Sequence, residues 1–157
     1  MSLTLIDGRS GAGKSSYARR LAASDGTRIL TMDYLYEGWE GLMIGCATLE
    51  RILTERAAGR IACWRDWDWH AYAWGDERTL DPHESLIVEG CGAITPITVV
   101  FAERAIWLDT PEDVRHARAL ARDGDDSWWE GWKQQERIHL DRHDPRGLAT
   151  EVVNLSD

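Results

Sequence analysis

The stretch Asp7-Gly8-Arg9-Ser10-Gly11-Ala12-Gly13-Lys14-Ser15-Ser16 decides the fold of this chain. Within it, residues 8–15 match the pattern G-x-x-x-x-G-K-[ST] at every fixed position. The apolar run before it, Leu3–Asp7, predicts a strand, and residues 13–23 after it predict a helix with one apolar face. A strand, a glycine-rich loop and a helix in this order form the structural context in which the pattern binds phosphate.

The residue types of this loop suit the tail of a nucleoside triphosphate. Glycines let backbone N–H groups turn inward around a phosphate, and the start of the helix adds partial positive charge. We expect Lys14 to reach the β- and γ-phosphates as part of the catalytic set, and the Ser15 hydroxyl to bind Mg²⁺. The sequence therefore predicts ATP and Mg²⁺ as cofactors. The predicted nucleotide contacts are Gly8, Arg9, Ser10, Gly11, Ala12, Gly13, Lys14, Ser15 and Ser16.

Short apolar runs alternate with amphipathic stretches along the rest of the chain. Besides 3–7, strands are predicted at 28–33, 85–90, 105–109 and 151–155, and besides 13–23, helices at 41–58, 112–122 and 127–141. Such alternation predicts a parallel sheet covered by helices. We expect an α/β three-layer P-loop NTPase fold, with a five-stranded parallel sheet and helices on both faces. At 157 residues the chain is the size of a single domain, 1–157.

Four predicted strands end in an acid: Asp7, Asp33, Glu89 and Asp109. In an open parallel sheet, ligands bind outside the carboxyl ends of the strands, so these acids are expected near the phosphate loop. We predict that Asp33 is the general base and also contacts the substrate, and that Glu89 helps Ser15 to hold Mg²⁺. Asp7 is expected to support the loop, and Asp109 to cap the helix that follows it.

Three arginines in the predicted helix 112–122 are spaced so that they share one face: Arg115, Arg118 and Arg122. We predict that Arg118 and Arg122 stabilise charge on the transferred phosphate. The neighbouring apolar positions Val114, Ala117 and Ala121 are expected to pack inward. The acidic, glycine-containing residues 123–126 interrupt the helix, which predicts a mobile lid over roughly 115–130.

Tryptophan is unusually frequent, with nine residues against one phenylalanine. In an extended chain Trp67 and Trp69 lie on one side, and such rings among carboxylates suit a flat or polyhydroxylated ligand. The predicted acceptor contacts are Asp33, Tyr36, Trp39, Arg65, Asp68 and Trp69. The run that contains Trp128, Trp129 and Trp132 is expected to pack the helix after the lid.

The net charge of −9 and the pI of about 5.0 argue against a nucleic-acid or anionic-membrane binder. An acidic acceptor region favours a neutral or cationic hydroxyl compound, although Arg65 leaves a phosphorylated acceptor open. The three cysteines form no CxxC pair, no apolar run is long enough for a membrane helix, and a cytoplasmic location is expected. The oligomeric state cannot be predicted.

The sequence resembles the small P-loop kinases of the uridine kinase and nicotinamide riboside kinase group. The segments that carry the resemblance are 7–16, Met32–Tyr36, Val88–Gly90, the lid residues Arg115, Arg118, Arg122 and Asp123, and Trp67-Asp68-Trp69. The run Asp33–Leu42 also resembles short bacterial ATP-binding proteins. The resemblance implies that Asp33 is the base, that Glu89 assists Mg²⁺, and that the activity is transfer of the γ-phosphate to a small acceptor. Two alternatives stay open: a nucleoside monophosphate kinase, and a nucleotide-binding switch or ATPase.

Overall fold

A computed structural model describes residues 1–155 of the chain. Five parallel strands form a sheet in the order β2-β5-β1-β6-β7. Their bounds are Leu3–Gly8 (β1), Arg28–Thr31 (β2), Leu86–Glu89 (β5), Arg104–Asp109 (β6) and Glu151–Asn154 (β7). The central strand β1 ends in the phosphate loop, so this loop lies at the middle of the sheet's carboxyl edge.

Helices cover the sheet and frame the same edge. They are Lys14–Ala22 (α1), Leu42–Ala57 (α2), Glu112–Asp123 (α3), Trp129–His143 (α4) and Pro145–Leu148 (α5). Short 3₁₀ turns lie at Met32–Tyr34, Gly38–Glu40 and Thr98–Phe101. Among residues 1–155, no helix has the length and apolar character that crossing a membrane requires.

Two apolar clusters pack the two faces of the sheet, as the alternation of side chains along β1 requires. Leu3 and Leu5 point to the face that is covered by α2. Ile6 points to the opposite face and packs with residues of α1 such as Ala18. The predicted five-stranded parallel sheet with helices on both faces is therefore confirmed.

An antiparallel hairpin lies apart from the main sheet. Its strands are Ala62–Asp68 (β3) and Ala73–Leu80 (β4), with a register shift between Arg65 and Trp67. The hairpin packs against α2 and the turn 32–34. Neither strand was among those predicted from the sequence, which treated Trp67 and Trp69 only as part of an extended chain. β4 is mostly exposed and has no apolar alternation to indicate it. The register shift places both Trp64 and Trp67 in buried positions and carries Trp69 towards the edge of the sheet.

The inward face of α3 differs from its prediction. The buried residues of α3 are Arg115 and Ala119, whereas Ala117 and Ala121 are exposed and Val114 is half-buried. The predicted apolar stripe was wrong because Arg115 satisfies its charge within the protein. Its guanidinium donates to the carbonyl oxygens of Thr110 (3.0 Å) and Ser10 (3.3 Å).

Candidate active site

A cavity of about 640 Å³ opens at the carboxyl edge of the sheet, above the phosphate loop. One wall is the loop with the start of α1, and the other is formed by aromatic side chains. Two acids that were predicted from the strand ends, Asp33 and Glu89, lie between them. The remaining polar lining includes Arg19, Arg118, Arg122 and Asp123.

The phosphate loop is held in shape by residues below and beside it. Gly11 has a φ of +82°, and a Cβ added there would lie 2.3 Å from the carbonyl oxygen of Arg115. Gly13, at the start of α1, has a φ of +99°. No side chain among residues 1–155 caps α1, so the N–H groups of its first turn are free to meet a ligand at the cavity.

The Lys14 ammonium lies over the loop and donates to the carbonyl oxygen of Arg9 at 2.9 Å. Burial lowers the pKa of Lys14, but the surrounding Cys91, Glu89, Glu136 and Asp7 raise it more, so the net direction is upward. Lys14 therefore carries a full positive charge at neutral pH, next to the place where phosphate oxygens would bind.

Ser15 and Glu89 form a pair of oxygen donors at the cavity floor. The Ser15 hydroxyl donates to Oε1 of Glu89 at 3.1 Å, and Glu89 is only 3% exposed. Burial raises the pKa of Glu89, Lys14 opposes this shift, and Asp33 adds to it. A hydroxyl and a carboxylate are hard oxygen ligands of the kind that suits Mg²⁺, so these residues fit the predicted cation.

Asp33 lies in the 3₁₀ turn directly after β2, not in the strand itself as was predicted. Its side chain opens into the cavity, while the walls around it restrict hydration. The loss of hydration raises the pKa of Asp33, and Lys14 and Arg122 oppose that shift. Asp33 is thus an accessible carboxyl whose protonation responds to Lys14 of the phosphate loop and to Arg122 of α3.

The three predicted lid arginines occupy different environments. Arg115 is buried, and its bonds to backbone carbonyls join α3 to the phosphate loop. The guanidinium of Arg118 lies 3.4 Å from the carbonyl oxygen of Gly11, so it can reach a ligand held by the loop. Arg122 lines the cavity but forms two hydrogen bonds with Asp123, at 2.8 and 3.0 Å.

The wall opposite the phosphate loop is aromatic. Trp39 is at its centre, 4.9 Å from Trp69 and 5.4 Å from Trp128 between ring centroids. The Trp128 ring stacks on Trp39 with an interplanar angle of 17°, and Trp132 meets Trp39 edge-on. The indole of Trp69 donates to the carbonyl oxygen of Asp33 at 2.8 Å. The aromatic wall is therefore tied to the turn that carries the candidate base.

Tyr36 also lines the cavity, but its hydroxyl is already used. It donates to the carbonyl oxygen of Cys91 at 2.6 Å, and the residue is 2% exposed. Burial raises the pKa of Tyr36 far above its usual range, so the phenol stays neutral. Tyr36 can present its ring edge to a ligand and fixes the turn between Asp33 and Trp39.

Comparison with solved structures identifies the architecture. A possible uridine kinase from Bacillus stearothermophilus superposes with a TM-score of 0.63 at 18% identity, over 97% of this chain and 88% of that one. Shikimate kinase from Acinetobacter baumannii, in complex with shikimate, gives 0.59 at 20% identity, over 100% and 85%. Shikimate kinase from Bacteroides thetaiotaomicron gives 0.54 at 14% identity, over 98% and 86%. The fold is that of the P-loop small-molecule kinases.

The sequence itself matches neither a protein-family model nor a curated protein. At these identities the solved structures define the fold and leave the reaction to be argued from the site. The resemblance inferred from the phosphate loop is confirmed at the level of architecture, because the structural neighbours include a possible uridine kinase.

Three predicted contacts are not brought to the cavity. Arg65 and Asp68 are exposed on the hairpin, and neither lines the cavity. Asp68 instead accepts hydrogen bonds from the backbone of His70 and Ala71, at 2.9 and 3.0 Å, and so forms the turn. The side chain of Arg9 points away from the cavity to Glu136, at 3.0 Å, so only its backbone belongs to the loop.

Of the four strand-end acids, the other two lie outside the cavity lining. Asp7 is fully buried beneath the loop and accepts hydrogen bonds from the N–H groups of Gly8, Gly92 and Ile94. Asp109 contacts Arg146 at 3.4 Å, beside a smaller hollow. Gly8 and Ala12 are buried below the phosphate surface, whereas Ser10, Gly11, Gly13, Lys14, Ser15 and Ser16 line it.

Several site residues were not predicted. Trp128 and Trp132, assigned only to helix packing, line the cavity. Glu136 is 3% exposed and accepts a hydrogen bond from the Ser10 N–H at 2.6 Å. Their spacing of four residues placed Trp128, Trp132 and Glu136 on one helical face, which is the signal that would have found them.

Proposed function

We propose that this protein transfers the γ-phosphate of ATP to a hydroxyl group of a small neutral or cationic acceptor. The observation that carries the proposal is the position of Asp33. It lies in one cavity between the phosphate loop with Lys14, on one side, and the aromatic wall on the other. A carboxylate at that point is what an attacking hydroxyl requires.

The nucleotide is proposed to bind by its phosphates to the first turn of α1, with Lys14 on the terminal phosphates. Ser15 and Glu89 would hold Mg²⁺, which supplies positive charge to the phosphate oxygens when bound. The adenine ring of the nucleotide has a candidate place in the hollow next to the loop. This hollow is lined by Asp109, Thr110, Pro111, Asn154 and Leu155. Thr110 joins this hollow to the loop by donating to the carbonyl oxygen of Ala12 at 3.1 Å.

In the proposed reaction the acceptor oxygen attacks the γ-phosphorus. A new O–P bond forms, the bond between the γ-phosphorus and the β–γ bridging oxygen breaks, and ADP leaves. Asp33 takes the proton of the acceptor hydroxyl. Lys14 and Arg118 stabilise the charge on the transferred group, so that catalysis rests on positioning and electrostatics.

The acceptor class follows from the chemistry of the aromatic wall. Indole faces attract apolar surfaces and cations, and Asp33 adds a negative charge beside them. Arg122, next to Trp128, is already paired with Asp123 through two hydrogen bonds. These features favour hydroxyl compounds without a phosphate, such as nucleosides, polyols or amino alcohols, over nucleoside monophosphates.

The test is a screen of acceptor-dependent ADP formation with Mg²⁺ and ATP. Its members are nucleosides, sugars, cyclic polyols, amino alcohols and nucleoside monophosphates. Turnover that depends on a non-phosphorylated hydroxyl compound supports the proposal. A preference for a monophosphate contradicts the acceptor class, and acceptor-independent hydrolysis that no compound stimulates contradicts the kinase assignment and favours a switch or ATPase.

With an acceptor identified, Asp33→Asn tests the base. We expect phosphoryl transfer to fall by on the order of 10²–10⁴-fold, because the hydroxyl proton loses its acceptor. The ATP affinity should stay within a few-fold, since the phosphate loop is unchanged. Asp76→Asn is the matched control, because the Asp76 side chain is 85% exposed on β4. Transfer that survives in Asp33→Asn at the wild-type rate would show that Asp33 is not the base.

A further inference from the structure

A second group of chemically active side chains lies where α2 and α4 pack together. Two pairs, each four residues apart, face this junction: Cys46 and Glu50 on α2, and His139 and His143 on α4. A spacing of four places both members of a pair on the same side of a helix. None of these four residues lines the cavity that holds Asp33 and Lys14.

Three of the four offer ligand atoms that are close enough to share one ion. One ligand atom each from Cys46, His139 and His143 lie within 4.8 Å of one another. Nδ1 of His139 is 2.8 Å from Nδ1 of His143. Cys46 and His139 are each 2% exposed, and His143 is half-buried, so the group is enclosed but can be reached from the His143 side.

Asp7 fixes the orientation and the tautomer of His139. Nε2 of His139 lies 2.9 Å from Oδ2 of Asp7. Asp7 also accepts hydrogen bonds from the backbone N–H groups of Gly8, Gly92 and Ile94, so its oxygens are used as acceptors. A hydrogen on Nε2 of His139 satisfies the contact with Asp7 and leaves the lone pair of Nδ1 directed at Cys46 and His143. A carboxylate behind the histidine is the arrangement that orients and strengthens a metal-binding imidazole.

Glu50 adds a carboxylate to the same junction. Its Oε2 accepts a hydrogen bond from the Thr95 hydroxyl at 2.7 Å. Glu50 lies one helical turn after Cys46 on the same side of α2, but only the ligand atoms of Cys46, His139 and His143 form the close group. A thiolate and two imidazoles supply three ligands, and a water molecule would complete four-coordination.

We propose that Cys46, His139 and His143 bind a zinc-class transition-metal ion. One sulfur and two imidazole nitrogens are soft and intermediate ligands that select zinc, cobalt or copper over magnesium and calcium. Zinc bonds of ~2.0–2.3 Å require ligand atoms within about 4 Å of each other, so side-chain adjustments of about 1 Å bring the group to tetrahedral geometry. On binding, the Cys46 thiol proton passes to solvent, and the hydrogen on Nδ1 of a neutral His143 moves to its Nε2, so that both imidazoles bind as neutral ligands.

The ion would connect the helix junction with the phosphate loop. His139 bonds to Asp7, and Asp7 in turn bonds to the N–H of Gly8, where the loop begins. An ion on Nδ1 of His139 therefore holds α4 to α2 and holds Asp7 under the loop. The site is separate from Ser15 and Glu89, so its occupancy can be measured without nucleotide or acceptor.

The experiment is a titration of the metal-free full chain with Co²⁺, in the presence of excess Mg²⁺, followed by absorption spectroscopy. We expect one equivalent to give the intense d–d bands of tetrahedral cobalt and a thiolate-to-cobalt charge-transfer band. Ser15 and Glu89 offer oxygen ligands only, so Co²⁺ bound there produces no charge-transfer band. A wild-type protein without that band at one equivalent of Co²⁺ overturns the proposal.

Two variants identify the ligands. Cys46→Ala should lose the charge-transfer band, and His143→Ala should weaken Co²⁺ binding at least tenfold; circular dichroism verifies that each is folded. Cys63→Ala is the matched control, because Cys63 is an exposed thiol on the hairpin, and its spectrum should equal that of the wild type. A Cys46→Ala protein that keeps the band, or a Cys63→Ala protein that loses it, contradicts the assignment. If Cys46→Ala does not fold, retention of wild-type Co²⁺ affinity by His143→Ala overturns the proposal instead.

Discussion

The two walls of the cavity are built in different ways. The phosphate wall is one continuous segment, residues 10–16, and its chemistry resides mainly in backbone N–H groups and Lys14. The aromatic wall is assembled from Trp39, Trp69, Trp128 and Trp132, which come from a 3₁₀ turn, the hairpin and α4 with the residue before it. The first wall is local in sequence, and the second exists only once the chain has folded.

This difference separates the two halves of the proposed reaction. In the proposed reaction the triphosphate tail is bound by backbone N–H groups, which do not depend on side-chain identity. The acceptor differs between enzymes of one fold, and side chains from separate elements can be exchanged without disturbing the loop. The following predictions test whether the walls act independently, from the largest expected effect to the smallest.

Lys14→Ala should remove phosphoryl transfer almost completely, by on the order of 10³-fold in kcat/KM, because a preorganised charge on the transferred phosphate is lost. The measurement is steady-state kinetics with the acceptor found in the screen. Lys133→Ala is the control: it is the other lysine of the chain, and its ammonium pairs with Glu112 outside the cavity. An equal loss in both variants would contradict the assignment of the phosphate wall.

Trp69→Ala should act on the acceptor alone. We expect the KM for the acceptor to rise ~10–100-fold, because a ring that packs against the acceptor contributes about 1–3 kcal/mol to its binding free energy. The KM for ATP should stay within threefold. Trp69→Phe keeps an aromatic ring but loses the bond to the Asp33 carbonyl, which separates the two contributions. Arg65→Ala, on the same hairpin but exposed, should change neither constant. A matching rise in the KM for ATP would mean that the walls are coupled.

Gly11→Ala, in the phosphate wall, should lower the free energy of unfolding of the protein by about 1–3 kcal/mol, as measured by urea denaturation. The residue has a φ of +82°, and a Cβ there would meet the backbone of Arg115. Gly131→Ala is the contrasting variant, because a Cβ at that position of α4 meets nothing within 4 Å. It should stabilise the protein by ~0.5–1 kcal/mol. If Gly11→Ala leaves the free energy of unfolding unchanged, the loop can shift to accommodate a side chain and the prediction is wrong.

The acids between the walls should make the free protein slightly less stable at neutral pH. The pKa values of Asp33 and Glu89 are raised in the folded state because the cavity restricts hydration of both carboxyls, and the charge of Lys14 opposes the shift. Folding therefore favours their protonated forms, and this contribution is lost as the pH rises through the raised pKa values. Asp33→Asn and Glu89→Gln should each raise the Tm at pH 7, with the gain disappearing below about pH 4.

Scanning calorimetry at the two pH values measures this gain, with exposed Asp76→Asn as the reference. A lower Tm for both variants at pH 7 would contradict the predicted direction of the stability change. Together with the kinetic test of Asp33→Asn, this experiment separates stability from catalysis. The variant is expected to have a higher Tm but a lower rate of phosphoryl transfer.

The sequence predicted the parts of the molecule in which local pattern determines structure. The strand ends and the phosphate loop follow from short apolar runs and from the fixed glycine and lysine positions. The inward face of α3 could not be predicted, because an arginine is buried there and is satisfied by two carbonyl groups, of which that of Ser10 is 105 residues away in sequence. Burial of a charge depends on partners that only the fold supplies.

The aromatic wall was predicted in part, for a similar reason. Trp39 and Trp69 were expected near the acceptor and line the cavity, whereas Arg65 and Asp68 were expected there and do not. The two exposed residues share the hairpin with Trp69, but the turn that follows β3 uses Asp68 to bond its own backbone. Which side of a ribbon faces a cleft depends on the register shift at residues 65–67, and no simple alternation rule anticipates that shift.

The stacking of Trp128 on Trp39 provides an intrinsic spectroscopic probe of the cavity. The two indoles are 5.4 Å apart, and Trp69 is a further 4.9 Å from Trp39, so their electronic transitions couple. A compound that binds against these rings changes their surroundings, and we expect the near-ultraviolet circular dichroism and the fluorescence lifetimes to change with it. Occupancy of the cleft can thus be followed in unlabelled protein, during turnover, by light alone.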